Sequence, residues 1–180
     1  MQGYTPHRLD RTANGGGLLF YLRNDLPTKP LPLLFGDIEC IILDLTISKK
    51  KWVMVGTYNP NKSTISKHLS VLSKNLCHYL SSYDNVILMG DLNSEMKEEA
   101  MSEFCSLYNL VSLIKVPTCF KNAENPSCID LILTNKPHSF QNSTVLETGL
   151  SDFHKLTLTV LKTSFRKKPP QVIKYQNFKK

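Results

Sequence analysis

Four short polar clusters fall inside or beside apolar runs: Y-N-P-N at 58–61, G-D-L-N at 90–93, S-C-I-D at 127–130 and S-D-F-H at 151–154. They supply Asp91, Asn93, Asp130, Asp152 and His154, all hard-oxygen or imidazole groups. Such groups suit Mg²⁺ ligation, phosphate positioning and general acid–base work. Each cluster also has a plainer use. Residues 58–61 can be a strand exit and turn, and residues 90–93 a turn that caps a helix. Asp130 sits among apolar neighbours in C-I-D-L-I-L. A buried carboxylate there needs a partner, because an unpaired buried charge is costly, although an edge strand would also accommodate it. Serine and cysteine nucleophile chemistry is not indicated: there is no G-x-S-x-G, and no cysteine has an evident activating partner.

The elements around these clusters follow from periodicity. M-Q-G-Y-T-P-H-R-L-D-R-T-A-N is polar and turn-like, and Gly15–Gly17 opens a tight turn into an apolar strand at Leu18–Leu22. The three glycines are not a phosphate loop, since no G-K-[ST] follows. Prolines 27, 30 and 32 mark a loop. Ile38–Ile47 and Trp52–Tyr58 are predicted strands joined as a hairpin through Lys49–Lys51. The spacing of Ile65, Leu69, Leu72, Leu76 and Leu80 predicts a helix over Ser63–Leu80, capped by Ser63 or Thr64. Val86–Met89 is continuously apolar, which predicts a strand buried on both faces. A second helix is expected near Lys97–Tyr108, with strands at Leu110–Ile114, Ile129–Thr134, Ser143–Leu146 and Leu156–Leu161. The fold class is α/β.

The 41% apolar content suffices for a core, and 180 residues suit one domain with a short appendage. The five cysteines are scattered without C-x-x-C, so neither a disulfide framework nor a zinc site is suggested and a reducing compartment fits. No signal peptide or apolar run of membrane-spanning length occurs. The net charge of +7 originates entirely after Asp152, where eight Lys or Arg follow and no acid does. Residues 163–180 therefore look like a basic tail or linker, so the high pI says little about the folded surface.

The ordered set Y-N-P-N, V-I-L-M-G-D-L-N, S-C-I-D-L-I-L-T-N and L-S-D-F-H-K-L resembles the endonuclease/exonuclease/phosphatase superfamily. The closer likeness is to the endonuclease domain of non-LTR (LINE-type) retrotransposons, and it covers residues 3 to about 162. The resemblance implies a four-layer sandwich of two mixed β-sheets flanked by helices, and Mg²⁺- or Mn²⁺-dependent phosphodiester hydrolysis on DNA. It implies that Tyr58 contacts the scissile phosphate, with Asn61 in the same loop and Ser127 on the phosphate side. Asp91 would orient or deprotonate the attacking water, and Asn93 would position phosphate. Asp130 would orient the catalytic histidine, and Asp152 would be a metal-side carboxylate. Partners would be DNA and a reverse-transcriptase domain in a longer parent protein, with intracellular, nuclear localisation.

Two departures stand out. The family's first strand–helix–strand, with its metal-binding Glu, has no counterpart, so residues 1–162 are expected to form a partial domain that is inactive alone. The family's S-D-H also becomes S-D-F-H, placing Phe153 where the histidine belongs. Two outcomes stay open. His154 can share a strand face with Asp152, or a bulge can advance it to Asp130. A non-catalytic remnant that binds nucleic acid weakly, and a phosphatase-like member of the superfamily, are the alternatives in function.

Overall fold

The computed structural model describes residues 2–149 and 151–163. The expected basic tail, apart from Thr163, lies outside the described residues. The strands are β1 (Tyr4–Thr12), β2 (Gly15–Arg23), β3 (Thr28–Leu31), β4 (Glu39–Ile47), β5 (Lys50–Tyr58), β6 (Asn85–Asp91), β7 (Val111–Ser112), β8 (Asp130–Thr134), β9 (Phe140–Leu146) and β10 (Leu156–Leu161). The helices are α1 (Ile65–Tyr79), entered through a 3₁₀ turn at Lys62–Thr64, and α2 (Glu99–Leu107).

Six strands form one mixed sheet in the order β3-β4-β5-β6-β8-β7. β5 and β6 run parallel across the α1 connection, and the other neighbours are antiparallel. Side-chain alternation explains its two cores. Cys40 and Ile42, Val53 and Val55, Val86 and Leu88, and Leu131 and Leu133 face α1 and α2, meeting Leu69, Leu72, Leu76, Met101 and Phe104. Their alternates Leu45, Trp52, Ile87 and Ile132 form a second core on the opposite face, with Ile114 and Phe140. The V-I-L-M run of β6 is therefore buried on both sides, as its composition requires.

Two antiparallel hairpins, β1-β2 and β9-β10, cover that opposite face. Residues 1–14 are thus not a polar turn: most of them form β1, which pairs with β2 from Tyr4↔Arg23 to Thr12↔Gly15. Polar side chains concealed the strand, since all of it except His7 is exposed. In β2 the alternate residues Leu18, Phe20 and Leu22 turn inward. Phe20 lies over Gly56 in β5, where an added Cβ would come within 2.4 Å of its ring. The second hairpin is anchored by Phe140, which meets Trp52 edge-on at 5.8 Å.

Other differences are local. The proline-rich loop holds β3, which Pro30 can join because β3 is an edge strand. The first strand expected after α2 shrinks to Val111–Ser112. Neither Ser63 nor Thr64 caps α1 with its side chain; the Asn61 side chain instead accepts Ser63 N at 3.0 Å and caps the 3₁₀ turn.

Candidate active site

The sheet register brings the polar clusters together before any side chain is considered. β5 and β6 are parallel, so Tyr58 and Asp91 end at the same margin of the sheet. β8 is antiparallel to β6 and begins there, with Asp130 directly opposite Asp91. β4 also begins there, with Glu39 opposite Tyr58. The alternation that sends Val86, Leu88, Leu131 and Leu133 toward the helices sends Asp91 and Asp130 to the hairpin face.

His154 reaches these carboxylates from the segment before β10. Its Nδ1 lies 3.2 Å from Asp130 Oδ2. Of the two arrangements the spacing allows, His154 takes the one that faces Asp130. Ser151 Oγ accepts the backbone N–H groups of Phe153 (3.4 Å) and His154 (3.1 Å), which folds S-D-F-H into a turn. The regular strand starts only at Leu156, so Asp152 and His154 do not form a pair on one strand face. Phe153 is turned outward and is 50% exposed. Asp152 is also exposed and stands outside the carboxylate–imidazole cluster; it lines a cleft of about 370 Å³ with Phe120, Glu147, Lys155 and His154, which belongs to both.

One donor atom from each of Asp91, Asp130 and His154 lies within 4.8 Å of the others. The two carboxylates are oxygen donors of the kind that Mg²⁺ and Mn²⁺ take, whereas an imidazole suits softer metals. Burial raises the Asp91 pKa above the ordinary carboxylate range; the Asn93 N–H opposes this, Asp130 adds to it, and His154 and Lys121 oppose it.

The loops are tied by amides. Asn59 is fully buried: its N–H donates to Asp91 O, and its Nδ2 donates to Asn61 O and Leu92 O. Asn93 has a positive φ of 48° and donates Nδ2 to Asn59 O at 2.8 Å, while its own N–H donates to Asp91 Oδ1 at 2.9 Å. Gly90 sits between these loops at φ 148°, where an added Cβ would come within 1.7 Å of Thr57 O. Tyr58 is half-buried beneath the Arg11 guanidinium (4.8 Å), which also pairs with Glu39. Ser127 exchanges backbone hydrogen bonds with Cys119.

Two site residues escape sequence reasoning. The buried Thr118 hydroxyl accepts the N–H groups of Ile129 and Asp130, fixing the start of β8. Cys119 Sγ lies 3.5 Å from His154 Nε2, so one cysteine does have an imidazole partner, contrary to expectation. Neither sits in a periodic segment, and no spacing in the chain marks them.

A mixed sheet with helices on one face, and a carboxylate–imidazole cluster where its strands end, defines an α/β protein with a candidate divalent-cation site. A sequence profile of the Endonuclease/Exonuclease/phosphatase family matches residues 2–152, and the chain belongs to that family. No curated protein sequence matches it. Among solved structures it is similar to the endonuclease domain of TRAS1, a telomere-specific non-LTR retrotransposon (14% identity, TM-score 0.69, 89% of this chain and 79% of that one). It is also similar to the catalytic domain of human Nocturnin (20%, 0.62, 87% and 72%). A third is a mannosyl-6-phosphatase from Bacteroides thetaiotaomicron (13%, 0.58, 89% and 78%). At these identities the structures share the fold. Among the described residues, no helix is long and apolar enough to cross a membrane.

Proposed function

We propose that the chain carries the catalytic centre of a Mg²⁺- or Mn²⁺-dependent phosphodiester hydrolase that nicks DNA in the nucleus, of the LINE-type endonuclease kind. The observation that carries this reading is the convergence of Asp91, Asp130 and His154 within 4.8 Å. Asp91 and Asp130 would hold the cation, with His154 beside them and Asp152 as an outer carboxylate. The bound ion would supply charge stabilisation at the phosphate oxygens.

The chain's own residues divide the remaining work. Asp130 is an acceptor, so His154 Nδ1 carries the proton between them and the ring is held by a charge-assisted bond. Asp91 takes the proton of the attacking water, and burial, which raises its pKa, makes it a stronger base than an exposed carboxylate. Asn93 positions phosphate through its amide, and Tyr58, Asn61 and Ser127 line the substrate side.

The proposal includes the four-layer architecture. The two hairpins become parts of a second mixed sheet joined by a further strand–helix–strand, which brings the additional metal-binding glutamate. Among the described residues the outer edges of both hairpins are unpaired, which supports this reading. A non-catalytic remnant is the second reading, favoured by the exposure of Asp152 outside the cluster.

A supercoiled-plasmid nicking assay with Mg²⁺ tests both. It uses the 180-residue chain, and the same chain preceded by the strand–helix–strand of a LINE-type endonuclease. The extended form is expected to nick, and His154→Ala or Asp130→Asn to slow it about 100-fold or more. The unextended chain is expected to be inactive. No nicking by the extended form, or nicking indifferent to both substitutions, would overturn the proposal. Turnover of a phosphomonoester alone would favour the phosphatase reading.

A further inference from the structure

The Asp130–His154 pair has a third member. Cys119 is 5% exposed, and its Sγ lies 3.5 Å from His154 Nε2, while Asp130 holds Nδ1 at 3.2 Å. Both ring nitrogens are therefore engaged. The thiol's place is set by the backbone: Cys119 is bridged antiparallel to both His154 and Ser127. Lys155 N–H donates to Thr118 O, and Phe120 N–H donates to Phe153 O, so residues 118–120 and 153–155 are held in register.

The proton bookkeeping leaves Nε2 no spare capacity. The Asp130 carboxylate only accepts, so Nδ1 carries a hydrogen. In the neutral ring, Nε2 is then an acceptor and takes the S–H of Cys119. In the charged ring, Nε2 donates to the sulfur. We infer that Cys119 is a positioning residue that caps His154 Nε2, so that this nitrogen meets a phosphate oxygen or a cation only after the thiol contact is given up. A thiol is a weak donor, which makes such a cap easy to displace. The consequence for turnover rests on the proposed hydrolase; the capping itself does not.

The test needs no activity. Diethyl pyrocarbonate acylates unprotonated, accessible imidazole nitrogens. The whole chain is treated near pH 7 with EDTA, and each histidine is followed by peptide mass spectrometry. Exposed His78 supplies the reference rate. Buried His68, whose Nε2 bonds Thr57 Oγ1 at 2.8 Å, reports whether the fold is intact. Cys119→Val removes the donor with an apolar side chain only slightly larger, and is expected to raise the His154 rate about threefold relative to His78. Cys119→Ser provides a stronger donor and is expected to slow it below wild type.

An unchanged His154 rate in Cys119→Val with His68 still protected would overturn the inference. If Cys119→Val exposes His68, the serine variant decides: a His154 rate at or above wild type overturns the inference just as well. Failure of the plasmid assay would sink the hydrolase reading and leave these rates fully interpretable. Where nicking is observed, Cys119→Val should lower KM more than it changes kcat, because a competing contact has been removed from the free enzyme.

Discussion

Asp91 is the residue whose chemistry depends most on its surroundings. Its folded pKa lies above its unfolded value, with burial the leading cause. Such a group holds its proton in the fold after the unfolded chain has released it. Asp91 therefore favours the metal-free fold at acid pH, and its contribution is lost as pH rises through the folded pKa, above the usual value near 4. Asp91→Asn removes that loss and keeps an oxygen for the Asn93 N–H. In EDTA at pH 7 the variant should melt above wild type, and the gap should close as pH falls toward the ordinary carboxylate pKa near 4. It should also lose any Mg²⁺-induced rise in Tm, since it forfeits an anionic ligand. A variant that melts lower at pH 7, or still responds fully to Mg²⁺, would show that Asp91 is neither strained by burial nor a ligand. Sequence reasoning could find Asp91, Asp130 and His154 because polar groups interrupt apolar runs there. It could not find Thr118 and Cys119, which act through backbone pairing across irregular loops.

At the scale of elements, the same physics separates what was legible from what was not. α1, β4, β5, β6 and β8 have apolar periodicity and were readable to within a few residues. β1 is polar along almost its whole length and owes its existence to pairing with β2 and to the docking of that hairpin. One docking contact is Phe20 over Gly56. Gly56→Ala forces a Cβ to within 2.4 Å of the ring, and should cost about 2 kcal/mol in chemical denaturation. Phe20→Ala should cost about 3 kcal/mol by removing the contact outright. If the hairpin is held through this one pair, the double variant should be barely less stable than Phe20→Ala alone. Additive losses would mean that the hairpin is held elsewhere, because only residues sharing a contact couple strongly.

For the whole molecule, the hairpin layer sets the solution behaviour. The helix face is sealed by two amphipathic helices, whereas the other face ends in two separate two-stranded sheets. Their outward side chains include Leu19 (53% exposed), Tyr21 (49%), Leu156 (49%) and Leu158 (41%). Apolar side chains on unpaired strand edges are the usual starting point for edge-to-edge association. The 180-residue chain is therefore expected to self-associate as its concentration rises, as light scattering after size exclusion would show. Leu19→Lys with Leu156→Lys places a charge on each hairpin at positions that contribute little to either core. The pair should shift the chain toward monomer while moving Tm by less than about 2 °C, as expected of surface substitutions. A monomer at all concentrations in the parent chain would refute the expectation. A large loss of Tm in the variant would mean that these leucines are packed in solution, and that the two hairpins meet as one layer.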